Sequence, residues 1–280
     1  MKKLLLIDGH NLLFQMFYGM PNKIVGKNGK NVEGVVGFIG ALLKIIKITS
    51  PTHVAAIFDG QHENSRVEAN PEYKANRPDY STLPEEENPF SQLPYIYAAL
   101  DELKIKHFET VDCETDDVMA AYALHTGNDT EVVISSFDSD FFQLISDRVS
   151  VLRYRGDNTV ICTPQYVENK FGISPSQYAD FKSLVGDTAD NIRGADKIGP
   201  KTAASLISEF GDVEAIIAGV DLISRCAVRE SVRKSAERIR TNYRIIRLDG
   251  ESPLPFELEE LEHPCQTPRT REILEAVGVL

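Results

Sequence analysis

The chain is short of the residues that staple a fold together. Its four cysteines, Cys113, Cys162, Cys226 and Cys265, show no paired spacing in 280 residues. That excludes a disulfide framework or a thiolate zinc site and predicts buried small hydrophobes instead. With only 18 Gly and 14 Pro beside 42% hydrophobic and 26% charged residues, collagenous, coiled-coil and disordered chains are excluded as well. No stretch approaches the roughly 18 uninterrupted apolar residues of a spanning helix. The opening run Leu4-Leu5-Leu6-Ile7 stops at Asp8, too short for a signal-peptide core, so a cytoplasmic protein with no membrane partner is expected. Positive charge is scarce too: 30 Lys and Arg face 42 Asp and Glu, a net charge of -12. Taken alone this opposes a nucleic-acid partner, whose phosphates are neutralised by Lys and Arg. Net charge hides distribution, however, and the useful question is where the acids cluster. At roughly 150 residues per domain, the length allows one large domain or two small ones.

What is present is an alternation of apolar runs. Lys3 to Asp8, Thr52 to Asp59 and Glu131 to Ser136 read as buried strands, each ending at or just before an acid. A turn follows Asp8, and helical spacing covers Val35 to Ile48, Ser91 to Leu103 and Asp116 to Leu124, with a short strand at 106–110. Strands separated by helices predict an α/β fold, a mostly parallel central sheet with helices on both faces. In such sheets the functional crevice lies outside the carboxyl ends of the strands. Residues 61–94 carry five prolines and form a long excursion rather than a core element. Val149 to Tyr154 and Thr159 to Cys162 look like a hairpin. Residues 164–247 then read as short helices, with eight basic residues against two acids between Arg225 and Arg247. We place an α/β core at 1–163 and a helical region at 164–280.

The conspicuous carboxylates are Asp8, Asp59, Glu114, Asp116, Asp117, Asp138, Asp140, Asp187 and Asp190, three quarters of the acidic excess. A single Asp at a strand end is more often a helix cap or turn former. Jointly, so many acids at one sheet edge would repel one another unless cations were bound. An all-oxygen set without His or Cys points to magnesium or manganese, and two such ions suit phosphodiester hydrolysis.

Six ordered segments carry a resemblance: Leu6-Ile7-Asp8-Gly9-His10-Asn11-Leu12, Ala56-Ile57-Phe58-Asp59-Gly60, Pro71 to Pro78 with Tyr73-Lys74 and Arg77, Cys113 to Val118, Ser135 to Asp140, and Leu184 to Asn191. They resemble the motifs of the 5′-3′ exonuclease and flap endonuclease family, which includes the N-terminal nuclease domain of bacterial DNA polymerase I and free-standing relatives. The resemblance covers about residues 3 to 250. It implies a PIN-like nuclease core, a helical arch over the active site at about 61–94, and a helix-three-turn-helix DNA-binding element at about 181–210. It implies that Asp8, Asp59, Glu114 and Asp116 surround one metal ion, and that Asp117, Asp138, Asp140, Asp187 and Asp190 complete that site and form a second. Lys74 and Arg77 would contact the scissile phosphate, Tyr73 would stack on an unpaired base, and Arg66 is a weaker phosphate candidate. Gly194, Lys197, Gly199, Lys201 and Thr202 would follow a duplex backbone, with a monovalent cation such as potassium held nearby.

The chain departs from the family pattern at Gln15, where an Arg is common, and at Phe137 and Ser139 beside the strand-end acids. The reading is a structure-selective 5′ nuclease in replication and repair, acting as a monomer on DNA with a 5′ flap or 5′ end, or on an RNA primer paired to DNA. The alternative is a catalytically weak branched-DNA-binding module. A ribonuclease of a related acidic-site fold fits the arch and Gly-rich hairpin less well. A phosphatase fits less well still, because the position two after Asp8 is His10 rather than an acid. No polymerase segment follows within the 280 residues, so the chain either stands alone or is part of a longer one.

Overall fold

The computed structural model describes residues 2–60, 65–248, 250–264 and 268–280. Its centre is a six-stranded sheet in the order β3-β2-β1-β4-β5-β6. The strands are β1 (Lys2–Asp8), β2 (His53–Phe58), β3 (Lys106–Glu109), β4 (Thr130–Ser135), β5 (Val149–Arg153) and β6 (Val160–Cys162). β1 to β5 run parallel, and β6 alone returns antiparallel along β5 as the expected hairpin.

Because successive strand side chains point to opposite faces, each strand feeds two cores. Leu4, Leu6, Ala55, Ile57, Val132 and Ile134 belong to one cluster. Leu5, Ile7, Val54, Ala56, Phe58 and Val133 belong to the other. The second face is covered by α1 (Gly9–Gly19), α2 (Glu33–Thr49) and α4 (Leu93–Glu102). The first is covered by α5 (Thr115–His125) and then by helices from the later half of the chain, so one continuous core runs from the sheet into the helical region.

Those later helices are α6 (Pro164–Phe171), α7 (Tyr178–Val185), α8 (Pro200–Phe210), α9 (Val213–Ala218) and α10 (Cys226–Ile246). The final helix, α11 (Thr270–Ala276), returns to the other face through Ile273 and Leu274. Between α7 and α8 lies a two-residue ladder of β7 (Gly186–Asp187) and β8 (Ile192–Arg193). Gly186 has φ +82°, and a Cβ there would stand 2.4 Å from the Gly194 amide nitrogen. The glycine pair therefore closes this hairpin by backbone packing.

Three expectations are corrected. The segment after Asp8 is helix α1 rather than a turn, since the Asp8 side chain caps it by accepting from Asn11 N–H. Residues 226–246 form one 21-residue helix instead of short pieces. Among the cysteines only Cys162 is buried; Cys113 is half-buried and Cys226 exposed, while Cys265 lies outside the described residues. No described helix is long and apolar enough to cross a membrane.

The excursion carries α3 (Ser65–Ala69) and three short 3-10 turns, at Tyr80–Thr82, Glu85–Glu87 and Pro89–Gln92. It is packed down. Tyr80 and Phe90 meet edge-on at 5.3 Å between centroids, and both contact Phe14 of α1. Gln92 is buried, its Oε1 accepting from Val35 N–H.

Candidate active site

The strand order reverses at β1, with β2 on one side and β4 on the other, and the acids gather outside that point. Asp8 closes β1. Its Oδ1 accepts from Asn11 N–H at 3.0 Å and its Oδ2 from Ser136 Oγ at 2.7 Å. Ser136 Oγ also accepts from Asp138 N–H at 2.9 Å, and Asn11 Oδ1 from Phe137 N–H at 3.0 Å. These bonds stitch the start of α1 to the loop after β4. Asp59 follows β2, and its Oδ1 accepts from Thr115 N–H at 2.9 Å. Gly60 is required next to it, because a Cβ there would fall 1.8 Å from the Thr110 carbonyl oxygen.

Asp8, Asp59, Asp116 and Asp138 line a cavity of about 910 Å³. Lys74, Arg77, Tyr80 and Phe90 from the excursion line it too, with His10 and Phe14 from α1. Desolvation pushes Asp8 up to about 7, and the charges of Asp59 and Asp138 add to that. Asp116 is raised chiefly by desolvation, then by Asp138 and Asp8. Asp138 is raised for the same first reason. Burial would also raise Asp59, but contact with His10 and the Thr115 N–H outweigh it and hold this carboxylate below its ordinary range.

A second group stands beside the first. One oxygen from each of Asp140, Asp187 and Asp190 lies within 4.8 Å of the others. Asp140 is tied to the first group through its N–H, which donates to Asp138 Oδ1 at 2.8 Å. Here cations are already in place. Lys182 Nζ lies 3.1 Å from Asp140 Oδ1 and also contacts Asp187 Oδ2, and Arg77 Nη2 is 3.0 Å from Asp190 Oδ1. The Asp140 contact is a charge contact without hydrogen-bond alignment, since that oxygen makes no hydrogen bond. Desolvation and then Asp138 push Asp140 up to about 7 against the pull of Lys182. At Asp187 burial would raise the pKa, but Lys182 outweighs it and the carboxyl is held low.

Glu114 and Asp117 are brought elsewhere. Glu114 accepts from Arg66 Nη1 at 2.5 Å, Lys74 Nζ at 2.7 Å and Tyr73 Oη at 3.2 Å. Asp117 binds Arg66 through both oxygens, at 2.6 and 3.0 Å, and closes the capping box of α5. Neither lines the cavity. Arg66, expected at a phosphate, is spent on these two acids and on the Ile245 carbonyl at 2.9 Å. Tyr73, expected to stack on a base, is 5% exposed and packs against Ile245 and Ile246. Both departures have one cause: acids buried at the start of α5 need a fixed cation and a hydroxyl.

Lys74 adopts φ +55°, its N–H donating to the Asp190 carbonyl at 3.0 Å. That left-handed turn sets its ammonium at the cavity. Lys197, also at positive φ, and Lys201 are exposed beyond β8, and Thr202 is half-buried. Gly199 caps α8 without a side-chain bond, which leaves first-turn amides for an anion. Gly194 has a different place, with a Cβ there falling 2.3 Å from the Val185 carbonyl carbon.

The departures acquire partners. Gln15 Nε2 donates to the Tyr154 carbonyl at 2.6 Å, Phe137 lies under Arg153 and Arg155, and Ser139 Oγ accepts from Lys182 at 3.3 Å. On α10, Arg233 and Arg240 are occupied by Asp221, Glu230, Glu214 and Glu237.

The donor chemistry fits divalent cations. Among the described residues Asp8, Asp116 and Asp138 form no ion pair, and all three are raised by desolvation. Oxygen-only ligands of this kind suit a hard ion.

Comparison with known proteins decides the family. Residues 3–172 match the profile of the 5′-3′ exonuclease N-terminal resolvase-like domain, and residues 173–269 that of the 5′-3′ exonuclease C-terminal SAM fold. The chain belongs to the 5′-3′ exonuclease family. The thermostable DNA polymerase I of Thermus thermophilus is 34% identical over 263 residues, 94% of this chain and 30% of the polymerase. DNA polymerase I of Bacillus subtilis is 31% identical over 265 residues, 94% of this chain and 29% of the polymerase. This 5′-3′ exonuclease chain thus spans about a third of the length of those relatives. In fold it is similar to the T5 5′-exonuclease solved with zinc, with a TM-score of 0.72 at 24% identity over 99% of this chain and 100% of that one. The catalytic core of Rad2 with DNA substrate gives 0.58 at 14% identity, over 98% of this chain and 87% of that one.

Four residues with a place among these carboxylates carried no role in the sequence. His10, Asn11 and Ser136 stood within motifs that carried the resemblance, and only tertiary contacts give them roles. Lys182 carried no signal at all.

Proposed function

We propose that this member of the 5′-3′ exonuclease family hydrolyses phosphodiester bonds at 5′ ends and 5′ flaps of DNA, and of RNA primers paired to DNA, with two magnesium or manganese ions. One observation carries the reading: four carboxylates from three strand ends and a helix start line a single cavity together with Lys74 and Arg77. Asp8, Asp59, Asp116 and Asp138 would hold one ion, and Asp140, Asp187 and Asp190 the other, with Glu114 acting through Lys74. Bound ions supply an activated water and stabilise the leaving oxygen. Lys74 and Arg77 then bind the phosphate and offset its charge as it develops. Lys197, Gly199, Lys201 and Thr202 hold the duplex backbone, so selection is by shape and a free 5′ end rather than by base. A potassium ion at that hairpin belongs to the same proposal, as do a monomeric cytoplasmic enzyme and a division of the chain at residue 163. Metal-bound and DNA-bound relatives of the same fold support it.

The test is a labelled 5′-flap duplex incubated with and without magnesium or manganese, with wild type and Asp138→Asn in parallel. Metal-dependent cleavage lost in the variant is expected. Tight binding with no cleavage by either protein would select the binding module instead.

A further inference from the structure

We infer that Lys182 is a built-in counter-cation of the second carboxylate group, a positioning residue that keeps a divalent ion there weakly bound until substrate arrives. The inference rests on the metal-dependent reading above. Lys182 sits on α7 with its side chain 8% exposed, and it does not line the cavity. Lys74 and Arg77, by contrast, do line it. Its ammonium bridges Asp140 Oδ1 and Asp187 Oδ2, with Ser139 Oγ as a third contact at 3.3 Å.

Two of the three acids whose oxygens converge are thus already matched to a cation of the chain's own. With Arg77 on Asp190, three carboxylates and two cations leave a local charge of -1. The first group has no ammonium seated between its carboxylates: Asp8, Asp116 and Asp138 form no ion pair among the described residues, Asp59 has only His10 at 3.8 Å, and Lys74 acts on the group through its field while bonded to Glu114. A divalent ion coordinates carboxylate oxygens at roughly 2.0–2.6 Å. An ion on Asp140 Oδ1 and Asp187 Oδ2 must therefore displace the ammonium from the lone pairs it now faces. Buried ammonium groups give up a paired carboxylate only at a large cost. An incoming phosphodiester changes that balance, because its negative charge draws Arg77 away from Asp190 and adds a ligand. The second ion then binds tightly only when there is something to cut.

The experiment is a manganese titration of the metal-free full chain, with bound and free ion separated by electron paramagnetic resonance. Wild type should take one ion tightly and a second at least about tenfold more weakly, since each charge near a site shifts affinity on this scale. Lys182→Met should tighten the second ion by about tenfold, with spin coupling between the two. Lys182→Arg should keep the wild-type pattern. Lys182→Gln, which retains a hydrogen-bond donor, provides a second neutral variant should the Met protein fail to fold. A tight first ion with second-ion affinity unchanged or weaker in the neutral variant overturns the role of Lys182 alone. No manganese bound by any of the proteins overturns both this inference and the metal-dependent reading.

Discussion

The two carboxylate groups of the site are built from the same residue type and are a hydrogen bond apart, yet they are held in opposite ways. At the end of β1 and after β4, Asp8 and Asp138 are supported by neutral donors: a backbone amide, the Ser136 hydroxyl and the Asp140 N–H. Around Asp140, Asp187 and Asp190 the support comes from whole positive charges, Lys182 and Arg77. Hydrogen bonds from neutral groups orient a carboxylate and leave it short of charge. An ammonium supplies the charge and occupies the space beside the oxygens that a metal would use. The first arrangement prepares a site and the second restrains one.

The sharpest way to break this comparison is to remove charge from the first group. Asp138→Asn should lower metal-dependent kcat by about a thousandfold, or about 4 kcal/mol of barrier, while flap-duplex affinity stays within a factor of about three. A loss confined to affinity would show that this carboxylate serves binding. Lys74→Ala should come next. It removes the cation facing the acids and should lower kcat by about a hundredfold, with little change in duplex Kd. Equal losses in both would contradict a role at the reacting phosphate.

The pH dependence of metal stabilisation sharpens the comparison further. Asp8 and Asp140 titrate near 7 in the folded chain, against about 3.9 when unfolded. Between these values the folded state holds protons that the unfolded chain has released, so these two groups lose stabilising power as pH rises from about 4 to 7. Bound metal displaces those protons. The rise in Tm on adding magnesium should therefore be larger at pH 7.5 than at pH 5.5. His53 and His263, both lowered by burial, act in the reverse sense but cancel between the metal-free and metal-loaded melts. Equal rises at both pH values would mean that no proton competes with the ion.

A smaller effect separates packing from recognition. Tyr73→Phe removes one buried hydroxyl and should cost about 1 kcal/mol of stability, with single-strand affinity unchanged. A fall in single-strand affinity in Tyr73→Ala with no comparable fall in Tyr73→Phe would restore the base-stacking role. Smallest is Gln15→Ala, expected at about 1 kcal/mol or less through the lost bond to Tyr154, read as a slight drop in Tm with no effect on cleavage.

Strands β1, β2 and β4 were legible because a buried parallel strand is an unbroken apolar run, and each is closed by or leads into an acid. Their parallel alternation with helices followed from rules of connection, whereas the order of the strands in the sheet was seen only in the structure. Helix α1 was not legible. Asp8-Gly9-His10-Asn11 reads as a turn because its Asp is both a cap and a candidate ligand, and periodicity cannot separate these uses. The excursion read as a loop from its prolines, although Tyr73 and Gln92 within it are buried. Of the nine acids, the four lining the cavity share no signal that distinguishes them from Asp117. That acid differs only because Arg66, 51 positions away in sequence, comes back to claim it. Lys182 is the extreme case, a lysine in an amphipathic segment whose burial appears only when the hairpin after α7 folds beneath it.

The grip of Arg66 has a consequence for how the molecule is made. Its Nε reaches the Ile245 carbonyl across 179 residues of chain, and contacts of such long range form late because the intervening loop must first be closed. One anchor of the wall carrying Lys74 and Arg77 is therefore completed only after α10 has docked. During synthesis this wall of the cavity stays unfinished until α10 has left the ribosome, so that the sheet half and the helical half of the chain reach their joint form together.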